Sequence, residues 1–275
     1  MVHRSMPELA EVEHSRRTWD PGVGHKVLEV NVPRVDTRVL RGVDVDALRE
    51  GLTGQKLVGS EARGKQMCFR FGARGERWLG IHLGMRGMLS VAPPRTERAK
   101  HDLLVLRQAR RELVFTDLRH FGRIRFHRGS EAPEWWASLP PALDSDEFTR
   151  AGLDRILQRS RRSLKALLLD QAKFPGVGNW MADEIAWRAR LHPARVGAEL
   201  DAPEAAALFR ATRHVARESV RIMDADWEYP KSWLFAHRWE DGNACPRCRT
   251  PLVRQVLAGR RTCFCPGCQP ARGSA

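Results

Sequence analysis

The segment Met6-Pro7-Glu8 combines residue types that could carry out covalent chemistry on an electrophilic carbon. If the chain is cut after Met6, the nitrogen of Pro7 becomes a free secondary amine. An α-amino group has a reference pKa of about 8, so a neutral and nucleophilic fraction exists near pH 7. Glu8 follows directly and is a candidate acid or base. The segment therefore predicts a nucleophile and a proton-transfer group side by side.

Two other interpretations of Pro7 stay open. A proline at the first helical position, followed by acidic residues, is also an ordinary helix start. In addition, the sequence begins with MVHRS, so Pro7 as written is acylated by Met6, and an amide nitrogen is not a nucleophile. The catalytic interpretation requires that Met1–Ser5 are absent from the working protein and that Met6 is removed.

Five of the six cysteines lie near the C-terminal end of the chain. Cys245 and Cys248 form one C-x-x-C pair, and Cys265 and Cys268 form a second pair after sixteen intervening residues. This spacing predicts a tetrahedral site for one Zn²⁺, and four thiolates close the coordination shell, so the metal is structural. Cys263 falls on the same strand face as Cys265 and could compete weakly for the metal.

Composition favours a nucleic-acid partner. The chain has 275 residues, enough for about two domains, and a formal net charge of +14. Such a charge is typical of proteins that bind a polyanion, although an arginine-rich surface without a partner is an alternative. No apolar run is long enough to span a membrane and no secretory segment is present, so we expect a cytoplasmic protein without a membrane partner.

Hydrophobic patterns divide the chain into a strand-rich part and a helical part. A helix is predicted over residues 7–19, and short strand-like runs follow from Lys26 to about Arg128, interrupted by a helix at Val45–Leu52. Short strands at this spacing are typical of an antiparallel β-sandwich. Ala132–Asp146 is interpreted as an interdomain linker. Helical patterns then cover Asp146–Gln158, Ser163–Ala172, Trp180–Ala189 and Pro203–Met223.

Two loops in the C-terminal half could bind phosphate. The glycine-rich Lys173–Asn179 leads into a helix, and backbone N–H groups at such a turn form an anion site. Asn179 could donate its amide to a phosphate or cap the helix. Arg260 and Arg261 lie at the tip of a hairpin between the cysteine pairs, where they could reach a phosphate or a groove, or remain solvated.

A loop in the strand-rich half could enter a DNA duplex. In Thr116–Gly122, Arg119 and Phe121 are two residues apart at a turn, so a planar cation and an aromatic ring project together. Such a pair can fill the space that a base leaves when it is flipped out of the duplex. Met85 is a third apolar candidate, and each of these side chains could instead belong to the core.

The order of these motifs resembles the formamidopyrimidine-DNA glycosylase / endonuclease VIII family, nearer the formamidopyrimidine branch. The resemblance implies an α+β multidomain fold: an N-terminal antiparallel β-sandwich with an N-terminal helix, a central helix–two-turn–helix domain and a C-terminal zinc-finger hairpin. We place the three domains at residues 6–134, 135–240 and 241–272. The matching segments, in family order over about 95% of the chain, are MPELAEVE, RGKQM, HLGMRG, KHD, TDLRHFGRI, LKALLLDQ, GVGNWMADE, RLHP and GRRTCFCPGCQ.

The resemblance also implies roles for single residues. Pro7 is expected to attack C1′ of the sugar, Glu8 to act as acid or base, Lys65 to hold a phosphate and assist catalysis, and Glu11 to be a structural or site carboxylate. Met85, Arg119 and Phe121 are expected to fill the void and face the orphaned base, while Asn179 and Arg260 bend the damaged strand through phosphates. The residues expected to contact DNA are His82, Met85, Arg119, Phe121, Asn179 and Arg260.

The predicted function is therefore a bifunctional DNA glycosylase and AP lyase, a monomer that excises oxidised bases from duplex DNA by β,δ-elimination. A non-catalytic damaged-DNA-binding protein with a blocked N-terminus is the alternative, and an RNA-binding zinc-ribbon protein would explain the tail and the charge alone. Two departures from the family pattern bear on DNA contact. His120 replaces a usual arginine, and the segment Ile222–Trp233 is short where the family has a loop that closes over the flipped base.

Overall fold

The computed structural model describes residues 6–225 and 227–271. The prediction about Met1–Ser5 therefore concerns residues outside the described ranges, as does the last residue of the predicted zinc-finger domain. The chain forms two compact units. Of the described residues, Met6, Pro7 and Glu11–Leu139 form the first unit, and Glu8–Ala10 with those from Pro140 to 271 form the second.

The first unit contains two antiparallel four-stranded sheets, with strand orders β1-β6-β7-β5 and β2-β3-β4-β8. Their inward residues form one apolar core, so the two sheets pack face to face as a sandwich. The strands are β1 (Glu29–Asn31), β2 (Leu57–Arg63), β3 (Gln66–Phe71), β4 (Arg77–His82), β5 (Gly87–Ala92), β6 (Asp102–Arg107), β7 (Glu112–Asp117) and β8 (Arg123–Arg128).

Strand β3 shows why these residues form a two-faced sheet. Met67, Phe69 and Phe71 alternate along the strand and are fully buried in the core between the sheets. Cys68 points to the opposite face and is buried there with Trp78 and Trp136. The predicted sandwich is confirmed.

Three helices accompany the strand-rich part of the chain: α1 (Leu9–Arg17), α2 (Val45–Leu52) and α3 (Glu134–Ala137). The carboxylate of Asp44 caps α2 by accepting hydrogen bonds from the backbone N–H groups of Asp46 and Ala47. Helix α3 lies within the segment interpreted as a linker, and its Trp136 packs against Trp78 on the outer face of the second sheet.

The second unit contains the helices α4 (Arg150–Gln158), α5 (Leu164–Leu168), α6 (Asn179–Arg188) and α7 (Ala202–Ala225) and the hairpin of β9 (Val253–Leu257) and β10 (Arg260–Phe264). The whole of Trp180–Trp187 in α6 is buried, because α7 and β10 both pack against this helix. The predicted helix–two-turn–helix and zinc-finger hairpin are confirmed. In the described part of the chain no helix is both long and apolar enough to span a membrane.

Candidate functional site

Glu8 is fixed at the start of α6 by three backbone hydrogen bonds. Its Oε2 accepts from the N–H groups of Gly178, at 2.9 Å, and Met181, at 3.1 Å, and its Oε1 accepts from Trp180 at 3.0 Å. Only 2% of Glu8 is exposed. The first-turn N–H groups of a helix lack partners within the helix and carry its positive end, so the carboxylate acts as a cap supplied by a distant part of the chain.

Glycine at position 178 is required for this contact. A Cβ at Gly178 would lie 2.2 Å from Cδ of Glu8 and 2.4 Å from Oε1. The adjoining turn also holds the N-terminal segment, since the N–H of Leu9 donates to the carbonyl of Gly176 at 3.1 Å. Gln171 closes the turn, because its side chain accepts from Gly176 and donates to the carbonyl of Val177.

Asn179 is not the helix cap, so that interpretation of the sequence is wrong. The N-cap residue is Gly178, and the first-turn donors are satisfied by Glu8. The side-chain Nδ2 of Asn179 instead donates to the carbonyl of Arg261 at 2.9 Å, which ties the start of α6 to the hairpin. Only one of the two amide hydrogens is used in that bond.

A buried ionic network connects α5, α6 and the hairpin. Nζ of Lys165 donates to Oδ1 of Asp183 at 2.6 Å and to the carbonyl of Asn179 at 2.7 Å, and both charged side chains are fully buried. Oδ2 of Asp183 accepts from Arg238 and, at 3.0 Å, from the N–H of Cys263. Burial lowers the pKa of Lys165, and the charge of Asp183 opposes that shift.

Sequence reasoning gave no role to Lys165, Asp183 or Gln171, although all three lie in or beside segments that it quoted. A signal was present, because a lysine within the apolar run LKALLL and an acid within a helix of apolar residues both need partners if they are buried. The second acid of that helix, Glu184, pairs with Arg188 and accepts from the N–H of Phe235. Burial nevertheless raises the pKa of Glu184 to about 7.

The four predicted zinc ligands lie together in the second unit. The Sγ atoms of Cys245, Cys248, Cys265 and Cys268 are all within 4.8 Å of one another. A tetrahedral zinc site with Zn–S bonds of about 2.3 Å requires neighbouring sulfurs about 3.8 Å apart, and the Cys245–Cys268 separation is 3.9 Å. The donor set fits Zn²⁺. Cys263 is buried and is not a member of this cluster of described residues.

Lys65 and His82 lie near each other in the first unit. Lys65 occupies the turn between β2 and β3, and His82 ends β4. Burial, then the positive charges of Lys65 and Arg125, lower the pKa of His82, so the ring is neutral at pH 7. Its Nδ1 accepts from the N–H of Gly84 at 3.0 Å, which assigns the proton to Nε2. His82 therefore presents an N–H donor.

Arg119 and Phe121 form a stacked unit with a third residue. The Phe121 ring lies 3.9 Å from the guanidinium carbon of Arg38 and 4.7 Å from that of Arg119. Arg38 also donates to the carbonyls of Arg119 and His120, and the buried Asp117 accepts from the N–H groups of Arg119 and Gly122 in the same loop. The loop that carries the predicted wedge is thus held by its own hydrogen bonds.

Met85 belongs to a neighbouring turn of the same unit. A Cβ at Gly84 would come within 2.4 Å of the Phe121 backbone, so the two turns are in direct contact. Met85 and Phe121 are 38% and 41% exposed, so neither side chain belongs to the core. Pro7 is partly exposed and directly precedes Glu8, and Arg260 is exposed at the hairpin turn.

Three family models match the chain in order. The formamidopyrimidine-DNA glycosylase N-terminal domain matches residues 6–124, the formamidopyrimidine-DNA glycosylase H2TH domain matches residues 139–228, and the zinc finger found in FPG and IleRS matches residues 242–271. Together they define a glycosylase with a sandwich, a helix–two-turn–helix domain and a zinc finger.

Curated relatives and solved structures agree with these matches. The formamidopyrimidine-DNA glycosylase of Thermus thermophilus is 38% identical over 96% of this chain and 98% of its own, and that of Carboxydothermus hydrogenoformans is 33% identical over 96% and 100%. A complex between the Lactococcus lactis Fpg and an abasic site containing DNA has a TM-score of 0.84 and 26% identity, covering 96% and 100% of the two chains. The chain belongs to the formamidopyrimidine-DNA glycosylase family, and the predicted zinc cofactor is confirmed.

The first prediction concerns Gly178. We expect Gly178→Ala to displace Glu8 from the start of α6 and to leave buried donors unpaired, which costs about 1–3 kcal/mol each. The free energy of unfolding should fall by at least that amount, and base excision should fall with it. The matched control is Gly152→Ala in α4, where the nearest atom to an added Cβ is the Thr149 hydroxyl at 3.2 Å. Equal stability of the two variants would contradict the assigned role.

The second prediction concerns the metal. Cys265→Ser should lose the zinc and lower the thermal midpoint, because a closed Cys₄ shell contributes folding free energy directly. Cys263→Ser should retain one zinc per chain, since that side chain lies outside the cluster. Metal analysis of the two purified proteins compares them, and equal zinc loss would show that the ligand set is wrong.

Proposed function

We propose that Pro7 and Glu8 are the catalytic pair of this DNA glycosylase and AP lyase, and that the enzyme removes oxidised bases from duplex DNA through a Schiff base on Pro7. The observation that carries the proposal is the fixed position of Glu8, which follows Pro7 directly and is held by three backbone N–H groups. Because those donors favour the ionised carboxylate, Glu8 is suited to stabilise a cationic intermediate on the neighbouring nitrogen.

The proposed reaction begins with base eversion, which exposes C1′ of the sugar. The lone pair of the Pro7 nitrogen forms a bond to C1′ while the bond from C1′ to the base breaks, and the base leaves with that electron pair and takes up a proton. The Pro7 nitrogen then loses its proton, and its lone pair forms a C=N⁺ double bond to C1′ while the C1′–O4′ bond breaks. O4′ takes up a proton, so the sugar ring opens and an iminium remains. The iminium acidifies the hydrogen on C2′, so β-elimination breaks the C3′–O bond and a second elimination releases the 5′ phosphate.

The other residues have proposed roles in binding DNA. Lys65 and the neutral His82 contact phosphates near the lesion, and the Arg119–Phe121 loop with Met85 fills the space that the everted base leaves. The exposure of Met85 and Phe121 supports this role, and so do the hydrogen bonds that Asp117 accepts within the loop that carries Phe121. Asn179 and Arg260 hold phosphates of the damaged strand in the second unit, while Zn²⁺ on the four cysteines stabilises the hairpin that carries Arg260.

Oxidised purines that have lost a closed ring, and oxidised pyrimidines, are the proposed substrates. Solved Lactococcus lactis complexes contain Fapy-dG DNA and an oxidized pyrimidine containing DNA. The short Ile222–Trp233 segment supports the same choice. Its first residues belong to α7, which continues to Ala225, and Tyr229 packs against other aromatic rings, those of Trp180, Trp233 and Phe235. Few residues of the segment are therefore left to close over a flipped base. We place the enzyme in the cytoplasm of a bacterial-type cell, in contact with its DNA, as a monomer.

The third prediction tests the catalytic pair. Borohydride reduces an iminium to a stable amine, so it should trap the enzyme on an abasic duplex. Pro7→Gly retains a primary amine and should keep part of the trapping. Glu8→Gln should lose at least about a hundredfold in base excision, within the range for a general acid or base, yet still cleave a pre-formed abasic site. Undiminished excision by Glu8→Gln would remove Glu8 from the mechanism.

To interpret the trapping experiment, the N-terminal residue of the mature protein must be known. Intact-mass analysis of protein from its native host should give a chain that begins at Pro7. A mature chain that begins at Met1 or Val2 would support the alternative, a damaged-DNA-binding protein without a nucleophile. Intact-mass analysis and borohydride trapping together distinguish a protein whose Pro7 amine is blocked from one in which Pro7 or Glu8 has been given the wrong role.

The fourth prediction concerns substrate choice. Formamidopyrimidine should be excised faster than 8-oxoguanine opposite cytosine, because an intact oxidised purine differs from guanine only at its edge and needs enclosure to be recognised. Single-turnover rates on matched duplexes measure the difference. A competing hypothesis is that the segment WEYPKSW encloses the base, with Trp227 or Tyr229 stacking on it; Trp227 is 52% exposed. The alternative would be established if the wild type excised both lesions at equal rates and Trp227→Ala slowed the excision of 8-oxoguanine alone.

A further inference from the structure

A strongly basic cavity lies beside His82 in the first unit. Its volume is about 480 Å³, and it opens on the edge of the sheet that contains β4 and β8. None of the described residues that line it is acidic. The charged and titratable side chains around it are Arg38, Arg41, His82, His120, Arg123 and Arg125.

Strand β8 directs two arginines into this cavity. Ile124 is fully buried in the core of the sandwich, so the alternation of the strand turns Arg123 and Arg125 to the opposite face. Arg123 pairs in register with His82 of β4, and Arg125 pairs with Gly80. Both arginines therefore lie in the rows of the sheet next to the neutral imidazole.

The side chain of Arg125 is held in place by an aromatic ring. Its guanidinium carbon lies 5.6 Å from the ring centroid of Trp135, and this ring occupies the space above Gly80, where a Cβ would come within 2.6 Å of it. Stacking on an aromatic face reduces the freedom of a guanidinium without using its N–H donors. Arg125 therefore lines the cavity without giving up its N–H donors to the ring.

The cavity concentrates like charges. Burial, and then the positive charge of Arg123, lower the pKa of Arg125, and the pKa of His82 is lowered in part by Lys65 and Arg125. Because the described lining contains no carboxylate to offset these charges, the arrangement costs free energy in the free protein. A bound anion with several acceptor oxygens would remove that cost and accept hydrogen bonds from both guanidinium groups.

We propose that Arg123 and Arg125 form, together with the Nε2–H of His82, an additional binding site for one phosphodiester group of the DNA. The assignment rests on the proposed function and adds two arginines to the phosphate contacts of Lys65, His82, Asn179 and Arg260. A phosphodiester fits because the lining offers mainly N–H donors.

Salt-dependent binding of an abasic-analogue duplex tests this site. Neutralising one phosphate contributes about 0.9 to the slope of log K against log salt concentration, so Arg123→Gln/Arg125→Gln should lower the slope by about that amount. The dissociation constant of the double variant should rise about tenfold or more at moderate salt, since each hydrogen bond to a charged group contributes about 1.5–3 kcal/mol. The corresponding double lysine variant should recover most of the slope.

Arg128→Gln is the matched control. Arg128 is exposed on the same strand but does not line the cavity, so its loss, which removes one positive charge where the double variant removes two, should leave the slope unchanged. Unfolding midpoints of all variants verify that the sandwich is intact. A double variant with the wild-type slope, or with no larger effect than Arg128→Gln, overturns the site.

Two further measurements separate other outcomes. Borohydride trapping at saturating enzyme should persist in the double variant. Failure of the wild type to trap would instead overturn the proposed function and leave the binding result interpretable. Inorganic phosphate is the other source of the same chemistry, tested by thermal stabilisation at an ionic strength matched with chloride. If phosphate stabilises the wild type but not the double variant, and the two proteins bind DNA with the same affinity, the site binds a free anion and the DNA assignment is overturned.

Discussion

The buried carboxylate of Asp183 is the constraint on which the second unit depends. It accepts hydrogen bonds from Lys165 of α5, from Arg238 and from the backbone of Cys263 in β10, so one side chain joins three parts of the chain. A buried ion pair adds little net stability over an apolar pair, but removal of one partner costs about 3–5 kcal/mol because the other charge remains buried. The network therefore specifies one relative arrangement of α5, α6 and the hairpin. Because Asn179 lies in α6 and Arg260 in β10, this arrangement also sets the positions of the phosphate contacts proposed for the two residues.

Glu8 applies the same physical principle at the start of α6. The helix lacks a side-chain cap of its own, and the chain supplies one from its N-terminal segment. The glycine-rich turn then has two separate reasons for its composition. Gly176 has a φ of +89°, which favours glycine, whereas Gly178 has an extended conformation open to any residue and is restricted only by the carboxylate packed against it. The glycine-rich turn before α6, a motif that is typical of phosphate-binding loops, binds the carboxylate of Glu8 in this protein.

Much of the fold could be predicted from local patterns. The alternation in β3 and the amphipathic Val45–Leu52 gave the right elements, and the two cysteine pairs gave the zinc hairpin. The predicted helix over Ser163–Ala172 is too long, because its apolar periodicity continues while Gln171 turns the chain through hydrogen bonds to residues further along. The role of Asp183 could not be predicted in the same way, since its partners are separated from it by up to 80 residues. The family pattern identified the candidate catalytic and DNA-contacting residues, whereas the side chains that hold them in place became visible only in three dimensions.

If Asn179 holds a phosphate as proposed, its contact with the zinc hairpin links metal binding to DNA binding thermodynamically. The amide of Asn179 donates to the carbonyl of Arg261, and the hairpin depends on the four cysteine thiolates for its fold. Any ligand that orders Asn179 therefore favours the metal-loaded hairpin, and by reciprocity the metal increases the affinity for that ligand by the same factor. An enzyme engaged on DNA should release its zinc to a chelator more slowly than the free enzyme does. Zinc supply in the cell would then act on how tightly the protein holds damaged DNA, in addition to how much protein is folded.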